Sequence, residues 1–588
     1  MARRTRERNP QTTPSRDDRL KGRAVKIPAA LMSAGVSLVV SCLPAHAAPC
    51  MDADVLVRNG KIVTMDAERN AFSAMAIRDG RILAVGTDAQ LEGCASARTR
   101  VVDLEMRTVL PGLIDVHTHA LEWTKTILRG EIDAGYPGVK SVADLVRLVT
   151  ERTQAAAAGA WIVGSAWDDS KLSEKRYVNR HDLDRVAPHH PVYLVHVSGH
   201  LSVANTAALQ AAGISRDTPD PEGGAIERDA TGELTGILKD TAMGLMEKVL
   251  PGDPADLATG AAKLASEKAA EVGLTTIHDI YLSADDRRGY QNAYADHQLK
   301  VRIVMSPPIG SIADAEKLAG MGMHTGFGDE HLKLGAAKMF ADGGMGARTI
   351  AVYAPGVIGE PDNVGLLRWK PEDMYRAHLI AARAGWQLET HAIGDRAMDE
   401  VMDSYSSVQE ELRLRDPRFR IVHAGISTPA IQKRMRELKI VVDGNPPFIY
   451  WIGSWFKKYG PARVRWSYPA RSYIENGIVE AAGSDVNVTP ISPWWGIWAA
   501  VERKDLETGE VLAPEERINV LEALTLYTRN GAYAGFEEND KGSLEPGKLA
   551  DFIVIDRDVL VIPPVQLKDT RVLQTWVGGQ LVYSVPSS

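Results

Sequence analysis

His117 and His119 stand two residues apart behind an apolar run, in "RTVLPGLIDVHTHALEW" (107–123). In an extended segment residues i and i+2 share a face, so both rings point the same way. That is the spacing of two ligands to one metal ion, and equally that of a strand-end pair with no ligand role. Similar residues recur with other apolar runs: His278 in "GLTTIHDI", Lys338 in "LKLGAAKMFADGG", His391 in "WQLETHAIGD", His423 in "FRIVHAG" and Asp485 in "IVEAAGSDVNV". Singly each has a structural explanation: a lysine can snorkel, a strand-end histidine can satisfy a carbonyl, an aspartate can cap a helix. Six of them in ordered strand positions, namely His117, His119, Lys338, His391, His423 and Asp485, are harder to assign to coincidence.

The elements that must position these groups form a repeat. Short apolar runs at 108–119, 274, 301, 332, 386, 419, 440 and 478 number eight, and helical stretches such as "PEDMYRAHLIAARAG" and "PAIQKRMRELK" lie between them. Eight alternating units predict an α/β protein with a (β/α)8 TIM-like barrel over 111–535, whose strand ends converge on one mouth. About 150 residues separate the first strand from the second, far more than a barrel loop needs, so a large insertion or cap is expected at about 120–270. Both chain ends are β-rich. "DVLVRNGKIVTMD" and "SAMAIRDGRILAVG" read as hairpins with Asn-Gly and Asp-Gly turns, and "RVLQTWVGGQLVYS" as a third, so 48–110 and 536–588 are expected to pair into one small β-sandwich.

The segments "PGLIDVHTH", "GLTTIHD", "AAKMFADGGMGARTI", "THAIGDRA", "IVHAG", "AAGSDVNV" and "GSLEPGKLADFIVID" span nearly all of the chain beyond the leader. In these the chain resembles the amidohydrolase superfamily, and within it amidohydrolase family 3, the branch that contains N-substituted formamide deformylase. The resemblance implies two divalent metal ions: His117 and His119 on one, His391 and His423 on the second, Lys338 as an N6-carboxylysine bridging both, and Asp485 on the first ion while handling protons. One departure is "DVNVTP", where relatives often carry an aromatic residue or Ala after the Asp and then Pro; it leaves the ligand in place and bears on substrate contacts. In the same family a "GH...N..AL" pattern, here Gly199, His200, Asn205, Ala208 and Leu209, belongs to a cap over the site. His200 is therefore expected at the substrate or its oxyanion, and His278 is a further catalytic candidate.

These residue types suit the implied chemistry. A carbamate on lysine is an oxygen ligand that can join two cations, and the hydroxide between them attacks a carbonyl while Asp485 passes its proton to the departing nitrogen. Imidazole with hard oxygen ligands fits zinc first, with manganese, iron or nickel as alternatives. The function implied is hydrolysis of a carbon–nitrogen bond of amide or N-substituted formamide type. Two alternatives stand beside it. One is another reaction on the same metals: ring deamination, lactone or carbamate hydrolysis, or isomerisation. The other is a binding protein without catalysis, which predicts an eroded ligand set that this sequence does not show.

Composition narrows the partners. With 588 residues, 45% hydrophobic, and 68 basic against 76 acidic groups, the chain is globular and has no basic cluster beyond its first residues. A small-molecule amide is the expected partner, with no nucleic acid and no stable membrane association; a homo-oligomer is compatible with the sequence. Residues 1–47 read as a signal peptide cleaved after Ala47, giving a periplasmic or secreted protein, with Arg3-Arg4 as an incomplete twin-arginine signal and lipidation of Cys42 as the alternative. Cys50 and Cys94 would then remain, either as a disulfide or as two thiols. Finally, Phe448, Tyr450, Trp451, Trp455, Phe456, Trp494, Trp495 and Trp498 crowd the loops after strands seven and eight, where basic groups are few (Lys457, Lys458, Arg463, Arg465). They are expected to wall the mouth and to favour a substrate with a hydrophobic or aromatic group, unless they are simply buried.

Overall fold

The computed structural model describes residues 52–586. The expected leader, Cys42, Cys50 and the cleavage point at Ala47 lie outside them. Cys94 is buried and disulfide-bonded. Among the described residues no helix is long and apolar enough to cross a membrane.

All eight expected runs form strands: Leu113–Thr118, Leu274–Asp279, Arg302–Met305, a fourth broken into Leu332–Leu334 and Ala337–Phe340, then Leu388–Ala392, Arg420–His423, Val441–Gly444 and Val479–Ala482. Called strands one to eight below, they pair in parallel as two arcs that divide at the break in strand four. Gly335 is at that break. A Cβ there would lie 2.8 Å from Val304, so only glycine lets the chain pass so close to strand three. Across the break, Lys338 N donates to Pro307 O at 2.9 Å, and Ile309 N to Lys338 O at 2.7 Å. The other ends of the arcs meet where Asp485 N donates to His117 O (2.8 Å) and His119 N to Val486 O (3.0 Å). The molecule is thus mixed α/β with parallel sheets. Parallel strands covered on both faces need continuous apolar runs, which explains why the strands read so plainly in the sequence.

The helices follow their local signals. Pro429–Leu438 starts behind Thr428, whose hydroxyl accepts from Ile431 N, and stops at Lys439 in a left-handed conformation (φ 54°). Leu257–Glu271 buries a face of alanines, Ala261, Ala262, Ala265 and Ala269, small enough for its neighbours to come close.

Between strands one and two the chain forms its own six-stranded sheet. Its order is Gly224–Arg228, Leu234–Asp240, Leu201–Ala204, Val192–His196, Ile162–Trp167, Ile132–Asp133. The first two form an antiparallel hairpin within "GGAIERDATGELTGILKD".

The chain ends share one sheet: Phe552–Ile555 lies antiparallel beside Thr108–Pro111. Beside it stands a four-stranded sheet from the N-terminal part alone. Two expected hairpins form, Ala74–Arg78 with Arg81–Gly86 and Val572–Val577 with Gln580–Ser584. The hairpin expected over 54–66 does not. Val55–Arg58 pairs with Ala74–Arg78 and Arg100–Asp103, whereas Lys61–Val63 pairs with Ala71–Phe72 and Thr108–Pro111. Asn59, with φ 56°, turns the chain from one sheet to the other.

Candidate metal centre

The meeting of strands one and eight builds the first part of the site. Asp115, fully buried, accepts from His117 N (3.0 Å) and from Ser484 N (3.0 Å), clamping the two strand ends together. Burial pushes its carboxyl up to about 7. A Cβ on Gly483 would lie 2.6 Å from that of His117, so glycine is required for the approach. The outcome is that Asp485 Oδ1 stands 3.4 Å from both His117 Nε2 and His119 Nε2. Nitrogen and oxygen atoms of these three residues lie within 4.8 Å of one another, close enough to share one ion.

The second part continues around the strand ends. His423 packs against His117 (ring centroids 5.0 Å) and His391 against His423 (4.6 Å). Both Asp485 (φ 54°) and His423 (φ 68°) hold left-handed backbone conformations that side-chain-bearing residues seldom adopt, a form of strain found where function fixes a side chain. The tautomers are set by neighbours. His391 Nε2 donates to Gly343 O at 3.1 Å, which leaves Nδ1 as a lone pair, buried and unpartnered among the described residues. His423 Nδ1 donates to Asn445 Oδ1 at 2.6 Å, and Asn445 Nδ2 donates to Gly483 O at 3.1 Å, so His423 keeps its lone pair on Nε2. Burial above all holds His117, His391 and His423 well below the usual histidine range. Neutral imidazoles are the form that binds metal.

Lys338, on strand four, is fully buried and among the described residues its Nζ has no hydrogen-bond partner. Burial pulls the ammonium down to about 8 against the pull of Glu389 and Asp485. The amine lies 5.0 Å from the Phe340 ring centroid, a contact that does not replace a hydrogen bond, so a buried amine beside imidazoles and a carboxylate is costly as it stands and fits conversion to an oxygen ligand. The donor set of this chain therefore suits divalent cations.

Beneath these groups Arg420 braces the ring of strands. It reaches Glu389 (3.0 Å) on strand five, Asp443 (2.6 Å) on strand seven and Val116 O (2.8 Å) on strand one. His278 belongs to this layer: its Nδ1 is 3.4 Å from Arg420, and no hydrogen bond or ring contact joins it to the six candidate ligands. His200, from the inserted sheet, is brought to the site, its ring 5.0 Å from His391. Asn205 is structural. It caps Thr206–Ala211 and donates to Ala187 O and His190 O.

The aromatic residues divide. Phe448 stacks on His423 at 5.7 Å. Trp455 is buried near His196 of the inserted sheet, while Tyr450, Trp451, Trp495 and Trp498 pack on one another, Tyr450 and Trp495 face to face and the other pairs edge to face. The ring beside His391 and His200 is instead Phe340, at 5.0 and 5.9 Å, with Tyr281 packed on it. Phe340 lies two residues beyond Lys338 on one strand face, a spacing from which it could have been found. A second cluster, Asp168, Asp169 and His196, is buried in the insertion; Lys458 approaches Asp169 at 3.7 Å and already balances its charge.

The chain is similar to known proteins over most of its length. The model of the amidohydrolase family matches residues 100–583. The chain is 34% identical to Protein LONG AFTER FAR-RED 3 of Arabidopsis thaliana, over 90% of this chain and 92% of that one. It is 29% identical to the N-substituted formamide deformylase of Arthrobacter pascens, over 90% and 98%. The crystal structure of an uncharacterized metal-dependent hydrolase from Pyrococcus horikoshii superposes with a TM-score of 0.68 at 25% identity, covering 87% of this chain and 99% of that one. The chain belongs to the amidohydrolase family.

Proposed function

We propose that this hydrolase cleaves a carbon–nitrogen bond of amide or N-substituted formamide type, in a substrate with a hydrophobic or aromatic side group, using two divalent cations, zinc first. One observation carries the reading: Asp485 within 3.4 Å of two histidines at one end of a row of imidazoles, with a lysine amine buried in the same site that has no hydrogen-bond partner among the described residues. The two arcs are read as a closed (β/α)8 barrel over 111–535 with an insertion at about 120–270, and the residues of 48–110 and 536–588 as a composite sandwich. The amino-terminal pattern supports export through cleavage after Ala47.

His117, His119 and Asp485 would hold one ion, His391 and His423 the second, and Lys338, as N6-carboxylysine, both. When bound, the ions supply Lewis acidity and a nucleophile at neutral pH. Asp485 is placed to accept the nucleophile's proton and return it to the leaving nitrogen, because its carboxylate faces the imidazole row from the strand-eight end. Asn445 and Gly343 hold His423 and His391 in the tautomers that leave one lone pair free on each. Phe340 and Phe448 offer apolar surface beside the carbonyl's place, which supports an aromatic or alkyl group on the substrate. His200 stands at the same mouth; His278, held on Arg420, would act only from beneath it.

The test is a metal-reconstituted protein assayed on formamides, N-acyl amines, carbamates and lactones, with Lys338→Ala beside it. Amide turnover and two metal ions per chain in the wild type, with neither in a folded Lys338→Ala, is the expected result. Full activity and two ions in that variant would remove Lys338 from the centre; turnover of lactones alone would favour the alternative chemistry.

A further inference from the structure

The inserted sheet delivers an imidazole and a carboxylate to the metal-binding face as a unit. His200 immediately precedes Leu201–Ala204 and Asp240 ends Leu234–Asp240, and the antiparallel register that pairs Leu201 with Lys239 sets them side by side. Asp240 N donates to His200 O at 2.9 Å, and His200 Nδ1 lies 2.8 Å from Asp240 Oδ1. A carboxylate oxygen only accepts, so Nδ1 carries the hydrogen. Nε2 takes no protein hydrogen bond among the described residues, and the side chain stays 12% exposed, its ring 5.0 Å from that of His391.

The pair is also locked in place. A Cβ on Gly344 would lie 2.8 Å from His200 Cβ, Cγ and Cδ2, and one on Gly343 2.8 Å from Asp240 Oδ1. The loop after strand four therefore runs close against both residues, and through Gly343 O it also holds His391. The insertion and the metal site meet on this loop, which lies close along one side of the His200 ring.

We propose that Asp240 is a positioning residue that fixes His200 with its hydrogen on Nδ1, and that His200 Nε2, as an acceptor, takes the N–H of the bound substrate. The preferred substrates are then amides that keep a hydrogen on the scissile nitrogen. N,N-disubstituted amides and lactones are disfavoured, because their nitrogen or ring oxygen presents no hydrogen to the acceptor. This inference rests on the hydrolase reading above and narrows it. Recognition by a polar group discriminates strongly, since the substrate without the hydrogen leaves a desolvated acceptor unpaired.

The experiment compares a benzyl-type formamide with its N-methyl counterpart on the metal-loaded full chain. The wild type should prefer the N–H compound in kcat/KM by on the order of 10- to 100-fold, and His200→Ala should lose most of that preference. Asp240→Asn should shrink it too while retaining metal, because an amide can turn its NH2 toward Nδ1 and shift the imidazole hydrogen to Nε2. Imidazole 15N spectra give a readout that packing alone would not move: hydrogen on Nδ1 in the wild type, redistribution in Asp240→Asn, and a response of the Nε2 resonance to the N–H compound only. Equal wild-type rates on the two compounds, an unchanged preference in His200→Ala, or hydrogen on Nε2 in the wild type would each overturn the proposal. If neither compound is hydrolysed, it is the hydrolase reading that fails. An Nε2 response to the N–H compound alone would still uphold this inference, and an equal or absent response would end it.

Discussion

Asn445 is not itself an expected ligand, yet the structure gives it control of one. Replacing it with Leu removes two buried bonds at once: His423 Nδ1 to Asn445 Oδ1 at 2.6 Å and Asn445 Nδ2 to Gly483 O at 3.1 Å. The residue is fully buried, so water cannot take over either role. Each stranded group costs about 1–3 kcal/mol, which puts the folding penalty at roughly 2–6 kcal/mol. The second effect is on the ring. With no acceptor at Nδ1, the hydrogen of His423 is free to sit on Nε2, the nitrogen that should face the ion, and loss of such a partner weakens metal affinity or activity by about 10- to 100-fold. Asn445→Asp separates the two effects, because it keeps an acceptor for Nδ1 and loses only the donor to Gly483 O. Chelator competition on the metal-loaded protein should show faster metal loss for Asn445→Leu and near wild-type retention for Asn445→Asp, while thermal unfolding shows both destabilised. Wild-type metal affinity in Asn445→Leu would refute the reasoning, since the tautomer would then be set by something other than this bond.

Phe340→Ala should raise KM for a benzyl-type amide more than for its methyl counterpart, because the ring lies 5.0 Å from that of His391 and would meet the side group and not the carbonyl; equal changes for both would place the side group elsewhere. Asp551→Ala should cost about 3–5 kcal/mol in chemical denaturation, since it strands Arg302, which it holds at 2.7 and 2.9 Å in a buried pair between the C-terminal strands and strand three. A loss within error of zero would mean that Arg302 finds another partner. Burial pushes the Glu480 carboxyl up to about 8 from an ordinary value of 4.5, against the pull of Arg503. Between those values unfolding releases a proton, so this group makes the wild type lose stability as pH rises from about 4.5 to 8. Glu480→Gln should flatten that slope in denaturation curves taken across the window, and an unchanged slope would show that Glu480 is already ionised in the folded chain.

What could be read in advance follows the range of the interactions involved. His117, His119, Lys338, His391, His423 and Asp485 were legible because each sits in or just beyond an apolar run that forms its own strand, and strand order alone then sets them around one centre. The hairpin expected over 54–66 failed for the opposite reason. Asn59-Gly60 makes a sharp turn in either topology, and the choice of sheet depends on Met75–Ile77, Arg100–Asp103 and Thr108–Val109, which no local signal couples to it. Aromatic density in two loops was visible, but which rings face the site was not, because Trp455 and Trp494 are each 1% exposed and packed by partners distant in sequence. Hardest to see were Asn445, Gly343 and Asp240. They bind no expected ion, and they act on His423, His391 and His200 from the end of strand seven, the loop after strand four and the inserted sheet. Two of these three supports meet where Gly343 lies against Asp240, so a change in the insertion should be felt at His391 without any ligand being touched. The insertion is on this argument part of the site's support, and removing it should weaken metal binding as well as substrate recognition.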